Sequence, residues 1–210
     1  MNPRLILASR NVLKLAEMRR ILAESGLSYD VLGLDELPGG LEVPDVVESG
    51  ATFEANALLK SRAVAAATGL PAVADDSGLA VDALNGMPGI FSARWSGRHG
   101  DDAANLNLLL GQLADVPDER LGARFVCAAA VSRPDGESRT VMGEMAGSLV
   151  REPRGSNGFG YDPIFLPSGL TQTSAQLSAP EKDEISHRGK ALVALVRVLR
   201  DLPGWAGAAG

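Results

Sequence analysis

The first residues that could perform chemistry lie between the apolar run Arg4 to Ala8 and a segment with helical spacing of apolar side chains. Backbone N–H groups at a helix N-terminus bind anions, and Ser9, Asn11 and Lys14 add a hydroxyl, an amide and a cation there. The segment therefore suits a phosphate group. The same residues also fit an ordinary capped helix with a solvated lysine, and this segment alone leaves both interpretations open.

A second group is the run Asp75-Asp76-Ser77-Gly78, which follows the apolar stretch Pro71 to Ala74. We expect it at the carboxyl end of a short strand, where open α/β sheets bind their ligands. Two adjacent carboxylates repel each other unless a cation lies between them, and a divalent metal is the natural one. Because neighbouring residues of an extended chain point to opposite faces, one Asp would reach the metal and the other would orient a partner. An acidic Asx turn is the alternative.

A third group surrounds the start of a predicted helix. Glu48 precedes this helix and could supply a second oxygen ligand to the same metal. Asn56 and Lys60 lie four residues apart on one helical face, so both side chains could point towards one ligand. Taken singly, each of these polar residues is also typical of a solvated surface.

The fourth group combines the glycine-rich run Gly158-Phe159-Gly160-Tyr161-Asp162-Pro163 with Lys182, His187 and Arg188. Glycines beside Phe159 let its ring lie flat against a planar ligand, and Arg188 offers a fork of donors to a carbonyl oxygen. Together these residues could bind a nucleobase. A tight turn around Phe159 and a capping role for His187 at a helix start are the alternatives.

Apolar spacing and turn residues predict the elements that must position these groups. Predicted helices lie around Leu15 to Leu22, over Ala51 to Thr68, over Asp101 to Leu113 and over Ser186 to Leu202. Predicted strands are Arg4 to Ala8, Pro71 to Ala74, Leu79 to Leu84, Ala123 to Ser132 and Arg139 to Val150, the last two forming an antiparallel hairpin. Helices and strands alternate first and strands cluster later, which predicts an α/β fold with a mixed sheet. We expect one domain over residues 1–203 and a flexible tail over 204–210.

Composition limits the partners of the chain. Its 210 residues carry 20 Lys and Arg against 26 Asp and Glu, a formal charge of -6, which argues against nucleic acid. A small polyanion could bind only if local cations and a divalent metal overcome this acidic field. The single cysteine, Cys127, lies in an apolar run and is expected to be a core residue rather than a nucleophile. Without a disulfide, and without an apolar run of membrane-spanning length, the chain is predicted to be cytoplasmic.

Six ordered motifs resemble those of the inosine triphosphate pyrophosphatase family across nearly the whole chain. They occupy Ser9 to Lys14, Thr52 to Ala57, Asp75 to Leu79, Pro88 to Arg94, Gly158 to Pro163 and Ser186 to Gly189. Arg10 departs from the pattern, because many relatives carry a smaller residue there. The resemblance implies an elongated mixed β-sheet with flanking helices, two lobes around a central nucleotide cleft, and a homodimer. It also implies hydrolysis of ITP, dITP and XTP to the monophosphate and pyrophosphate.

The resemblance also implies roles for individual residues. Asp76 would be the catalytic proton acceptor and, with Glu48, a ligand of Mg²⁺. The phosphates would contact Ser9, Asn11, Lys14 and Lys60; Phe159 would stack on the purine; and Lys182, His187 and Arg188 would face the base and its 6-oxo group. Further substrate-binding residues are predicted in the same motifs, namely Arg10, Val12, Leu13, Asn56, Ser77, Gly160, Tyr161 and Asp162.

Two other functions stay open at this point. One is a Maf-like pyrophosphatase for modified pyrimidine nucleotides, and the other is a module that binds a nucleotide without cleaving it. The sequence does not rank ITP, XTP and dITP, and it does not identify what rejects GTP or which surface forms the dimer.

Overall fold

The computed structural model describes residues 2–38, 41, 43 and 45–201. Its helices are α1 (Val12–Glu24), α2 (Phe53–Thr68), α3 (Asp102–Gln112), α4 (Ala179–Ile185) and α5 (His187–Asp201). Its strands are β1 (Arg4–Leu7), β2 (Asp30–Gly33), β3 (Ala72–Val81), β4 (Gly122–Ser132), β5 (Ser138–Leu149) and β6 (Phe165–Pro167). Within these residues, no helix combines the length and the apolar character needed to span a membrane.

The six strands form one sheet in the order β2-β1-β3-β4-β5-β6. Strand β1 pairs in parallel with β2, where Ile6 lies opposite Leu32, and with β3, where Leu7 lies opposite Val73. Strands β5 and β6 are antiparallel, and Ser148 lies opposite Leu166. Parallel and antiparallel pairs thus occur in one sheet, and the predicted mixed α/β class is confirmed.

The chain divides into two compact units. Among the described residues, the first unit contains those up to Asp76, Ala128–Met142 and those from Ala191 onward. The second contains Ser77–Cys127 and Gly143–Lys190. A single domain over residues 1–203 and a central cleft stay predictions, and the predicted tail lies outside the described residues.

In the first unit, capping residues set the two ends of helix α2, and its small apolar side chains pack in the core. The hydroxyl of Thr52 accepts the N–H of Ala55 at 3.1 Å, and Gly69 ends the helix in the left-handed conformation at φ 68°. Val64 lies in a buried cluster with Ile6 and Ala72, while a second cluster joins Ala57 to alanines of β4. The predicted bounds of this helix are therefore confirmed to within two residues.

The second unit has a larger core, which combines aliphatic and aromatic side chains. Leu109 of α3 packs in one cluster with Leu79 of β3, Phe125 of β4 and the consecutive residues Ile164 and Phe165. The rings of Phe125 and Phe165 approach to 4.7 Å between centroids. Because Ile164 and Phe165 are fully buried, the glycine-rich segment that precedes them is anchored at its carboxyl end.

Strand β3 corrects one prediction. Asp75 to Gly78 neither ends a strand nor forms a turn, since β3 runs without a break from Ala72 to Val81, and residues 82–84 form a 3-10 turn rather than more strand. Local propensity disfavours Asp and Gly in strands, but here contacts from elsewhere in the chain override it. A side chain at Gly78 would collide with the backbone oxygen of Gly89, so only glycine permits this approach.

Three short elements, β2, β6 and α4, have no counterpart among the predicted ones. Each is too short for apolar periodicity to distinguish it from a loop. The predicted hairpin is confirmed as β4 and β5, and Cys127 is fully buried within β4, as expected of a core residue.

Candidate active site

The N-terminus of helix α1 has the geometry of a well-capped helix. The side-chain oxygen of Asn11 accepts the N–H groups of Leu13 and Lys14 at 2.9 and 3.3 Å, and the hydroxyl of Ser9 accepts the N–H of Asn11 at 3.1 Å. The apolar side chains of Val12 and Leu13 are 74% and 77% exposed. The structure therefore brings the residues of this motif together at a helix start, and their contact with phosphate stays a prediction.

Lys14 is held by a carboxylate rather than free in solvent. Its Nζ donates to both oxygens of Asp75, at 2.9 and 2.8 Å, and the Asp75 side chain is only 7% exposed. The lysine ammonium keeps a fixed position while part of its surface stays open to a ligand. This is the orienting role expected for one member of the Asp75-Asp76 pair.

Arg10 contacts acidic residues of its own unit. Its guanidinium donates to Asp45 at 2.7 Å and to the backbone oxygen of Val43 at 3.3 Å, and Asp35 lies 3.5 Å away. These ion pairs are exposed, so each contributes little to stability. They leave the predicted contact of Arg10 with substrate as a prediction.

Asp76 lies on the opposite face of β3 from Asp75 and meets helix α2. Its Oδ2 accepts the side-chain N–H of Asn56 at 3.0 Å, and its Oδ1 lies 3.7 Å from Nζ of Lys60. Burial raises the pKa of Asp76, against the lowering effects of Lys60 and Asn56, and the negative charges of Glu48 and Asp75 raise it further. A carboxylate with a raised pKa is a stronger base than an exposed one.

Asn56 itself is fully buried, and both ends of its amide have partners. Its oxygen accepts the N–H of Gly50 at 2.8 Å, which fixes the orientation of the NH₂ group towards Asp76. This geometry favours a positioning role for Asn56. Direct contact with substrate stays a prediction.

Glu48 and Asp76 converge on the same cation. Nζ of Lys60 donates to Glu48 at 2.6 Å, and the same Nζ is the one near Asp76. Among the described residues no group of three or more His, Cys, Asp or Glu side chains could hold a metal by itself. Two carboxylates nevertheless fit Mg²⁺, because this ion usually takes one or two carboxylates together with water and substrate phosphates. Burial is the main cause of the raised pKa of Asp76, and the charges of Glu48 and Asp75 add less to it; a divalent cation beside these carboxylates would offset that repulsion.

In the second unit, a pocket of about 110 Å³ lies beside the glycine-rich segment. This is less than the ~300–1,000 Å³ of whole-ligand pockets, so it would hold only part of a nucleotide. The lining includes Ser77, Phe159, Tyr161, Lys182 and His187. The predicted base-binding residues other than Arg188 thus line one pocket.

Phe159 is an aromatic side chain presented to the surface on a closely held loop. The ring is 69% exposed, and Nζ of Lys182 lies 5.4 Å from its centroid. The buried carboxylate of Asp162 accepts the N–H of Phe159 at 2.9 Å and also forms an ion pair with Lys182. Asp162 therefore fixes the ring-bearing backbone and the lysine together.

Tyr161 and His187 also line this pocket, and contacts with other residues hold both side chains. The hydroxyl of Tyr161 donates to the backbone oxygen of Ser92 at 2.9 Å, and burial raises its pKa, so the group stays a neutral donor. The ring of His187 stacks on Phe125 at 5.0 Å with the planes 13° apart. The helix cap at this point comes from Ser186, whose hydroxyl accepts the N–H of Gly189 at 2.9 Å, so His187 is not the capping residue. Arg188, in the first turn of α5, is half-buried.

Two residues with polar side chains that line this pocket, Asp102 and Ser92, were not among the predicted site residues. Oδ2 of Asp102 accepts the N–H of Gly160 at 2.8 Å, and the hydroxyl of Ser92 accepts the N–H of Leu79 at 2.9 Å. Ser92 does lie within the Pro88 to Arg94 motif, which was the available signal. Asp102 lies outside all six motifs.

Comparisons with known proteins show which family the chain belongs to. The sequence profile of the Ham1 family matches residues 5–198. The chain belongs to the Ham1 family. The resemblance stated from the six motifs is thereby confirmed. A dITP/XTP pyrophosphatase of Streptomyces coelicolor is 61% identical over 201 residues, which are 96% of this chain and 99% of that protein.

Solved structures of Ham1 proteins share the fold. The crystal structure of a nucleoside-triphosphatase / dITP/XTP pyrophosphatase from Mycobacterium abscessus is 56% identical, with a TM-score of 0.80, and the match covers 94% of this chain and 100% of that one. A HAM1 protein from Coxiella burnetii is 42% identical with a TM-score of 0.87, covering 95% and 100% of the two chains. The mixed sheet with flanking helices is thus the Ham1 architecture.

Proposed function

We propose that this chain hydrolyses dITP, ITP and XTP to the nucleoside monophosphate and pyrophosphate. The observation that carries the proposal is the environment of Asp76, a largely buried carboxyl with a raised pKa beside Lys60 and Glu48. A protein that only bound a nucleotide would not need a carboxylate in this costly environment. The names of the relatives support the same reaction.

The first unit supplies the groups for the triphosphate. Lys14 and Lys60 are each oriented by a carboxylate, so their ammonium groups can contact phosphate oxygens without first losing conformational freedom. Ser9, Asn11 and the start of α1, with Arg10, Val12 and Leu13, would surround the end of the phosphate chain. Ser77 belongs to the second unit; it follows Asp76 along β3 and would also contact the substrate.

Asp76 performs the proton transfer in this proposal. It accepts a proton from the attacking water as the α–β phosphoanhydride bond breaks, and the electron pair of that bond leaves with pyrophosphate. Asn56 holds Oδ2 of Asp76, and the other oxygen, Oδ1, would accept the proton. General-base assistance of this kind contributes about 10²- to 10⁴-fold to a rate.

Glu48 and Asp76 would hold Mg²⁺. The ion would neutralise triphosphate charge and hold its oxygens in place. Lys60, which bridges the two carboxylates, would then also be available to a phosphate oxygen.

The pocket of the second unit selects the base. Phe159 would stack on the purine, while Lys182, His187 and Arg188 would donate to the 6-oxo group of hypoxanthine or xanthine. Adenine presents an amino donor at this position, which would leave the protein donors unpaired at a cost of about 1–3 kcal/mol each. Gly160, Tyr161 and Asp162 would shape this pocket.

The wider setting follows from the reaction. Hydrolysis of deaminated purine nucleotides would remove them from the pool available to polymerases. A cytoplasmic location and a homodimer stay predictions. Sedimentation velocity would test the homodimer.

Product analysis by ion-exchange chromatography tests the function. The protein is incubated with ITP, XTP, dITP, GTP and ATP, with and without Mg²⁺. We expect metal-dependent monophosphate and pyrophosphate from the first three nucleotides and little product from the last two. Nucleoside diphosphate with inorganic phosphate, or intact nucleotide after long incubation, would refute the proposal.

A further inference from the structure

Two adjacent carboxylates at the start of helix α3 have different partners. Oδ1 of Asp101 accepts the N–H of Ala104 at 3.1 Å, which caps the helix. Asp102 is thus not needed as a cap. Its Oδ2 instead accepts the N–H of Gly160, 58 residues further along the chain, at 2.8 Å. Asp102 also lines the pocket in which Phe159 lies.

The loop that Asp102 contacts is also held by the buried side chains of Tyr161 and Asp162, but neither of them bonds to the N–H of Gly160. The ring of Phe159 is 69% exposed, so packing of its own side chain contributes little to its position. The glycines on either side adopt positive φ angles, 76° for Gly158 and 62° for Gly160, and glycine has more conformations to lose than any other residue. Two carboxylates secure the backbone here, Asp162 at the N–H of Phe159 and Asp102 at the N–H of Gly160.

We propose that Asp102 is a positioning residue for base recognition, which acts by holding the Phe159 loop in the conformation that stacks on a purine. This inference rests on the proposed function, in which Phe159 stacks on the base of the nucleotide. If the ring is already ordered before the nucleotide binds, binding does not include the entropy cost of ordering it. The charged acceptor makes this hydrogen bond stronger than a neutral one.

Asp102→Ala, with Asp101→Ala as the matched control, tests the inference. We expect the KM of Asp102→Ala for dITP to rise about tenfold, the equivalent of one charge-assisted hydrogen bond, while kcat stays within about twofold. Asp102→Asn should recover much of the affinity, because the amide oxygen can accept the same N–H. Asp101→Ala should lower the midpoint of thermal unfolding and leave KM within about twofold. A structural defect in α3 would instead raise KM in both alanine variants.

A double-mutant cycle with Phe159→Ala tests whether Asp102 acts through the ring. If it does, Asp102→Ala will raise KM far less in the Phe159→Ala background than in the wild type. Inhibition by inorganic tripolyphosphate, which has no base, should be the same in wild type and Asp102→Ala. Independent effects of the two substitutions, or weaker tripolyphosphate inhibition in Asp102→Ala, would overturn the inference.

The dissociation constant for IMP, measured by calorimetry, separates this inference from the proposed function. If wild type binds IMP but releases no pyrophosphate from dITP, the proposed hydrolysis is refuted. The positioning role of Asp102 is then tested by the IMP affinities alone. Weaker IMP binding by Asp102→Ala but not by Asp101→Ala supports the positioning role. Equal IMP binding by the three proteins refutes it.

Discussion

At the scale of single residues, a buried charge in the site can lower the stability of the fold. Asp76 is the clearest case, because burial raises its pKa more than Lys60 and Asn56 lower it. In the folded protein the ionised form is therefore less favourable than in the unfolded chain. The same feature that prepares Asp76 to accept a proton makes the fold less stable at neutral pH.

We accordingly expect Asp76→Asn to increase stability at about pH 7 while reducing pyrophosphate release by about 10²- to 10⁴-fold. Between the ordinary carboxyl pKa of 3.8 and the raised pKa, the native state binds more protons than the unfolded state. The free energy of unfolding of the wild type therefore falls as pH rises through this window, and the penalty persists above it.

Urea unfolding of both proteins measures this effect. The gain in the free energy of unfolding should be present at about pH 7 and should vanish below about pH 3, where Asp76 is protonated in both states. Glu54→Gln, which neutralises a carboxylate of α2 with no resolved role in the site, provides the control. A variant less stable than wild type at about pH 7 would contradict the assigned pKa direction.

Lys14 and Asp75 form a largely buried ion pair. We expect Lys14→Met to destabilise the fold by about 1–3 kcal/mol, because it leaves the buried carboxylate of Asp75 without its bidentate partner. The double variant Lys14→Met with Asp75→Asn should recover much of this loss. It should not recover the KM for dITP, since the cation for the phosphates is still missing. Chemical unfolding and steady-state kinetics on the two variants separate the two contributions. Recovery of both stability and KM in the double variant would show that Lys14 is purely structural.

At the scale of elements, the Phe159 loop depends on two glycines that differ in one respect. Both have positive φ angles, but only at Gly158 would a Cβ collide, with the carboxylate of Asp162. We expect Gly158→Ala to raise the KM for dITP by at least about tenfold, whereas Gly160→Ala should show only the smaller cost of backbone strain.

Steady-state kinetics with dITP, together with thermal unfolding, measures the difference between the two alanine variants. Equal increases in KM for the two variants would mean that backbone strain alone accounts for the effect of replacing either glycine. The ion pair of Asp162 with Lys182 would then have no part in the position of the loop.

The same scale shows which elements sequence can predict. Helix α2 was predicted closely, because Thr52 and Gly69 are local signals that act within one turn of the helix ends. The continuity of β3 was not, because Asp75 to Gly78 have low strand propensity and are kept extended by contacts with residues distant in sequence. The six motifs could be recognised from sequence because several polar residues and glycines lie close together in each. Asp102 was missed because its role exists only through a contact across 58 residues.

At the scale of the whole molecule, the formal charge of -6 opposes the binding of a triphosphate. The three lysines of the candidate site do not offset this negative charge, because Lys14, Lys60 and Lys182 are each paired with a carboxylate. Each pair has little net charge, although it orients its ammonium group. A divalent cation at Glu48 and Asp76 would supply the positive charge that the protein lacks.

Because the metal would supply the missing positive charge, we expect binding of the triphosphate to depend on the metal and binding of the base not to depend on it. Chelation with EDTA should stop pyrophosphate release and weaken binding of a non-hydrolysable dITP analogue by at least about tenfold, because the triphosphate then meets only compensated charge. Binding of deoxyinosine, which carries the base without phosphates, should be unchanged. Isothermal titration calorimetry with both ligands, repeated on Glu48→Gln, measures this. If EDTA weakens both ligands equally, the metal acts on the fold rather than on the phosphates, and Glu48 and Asp76 are not its site.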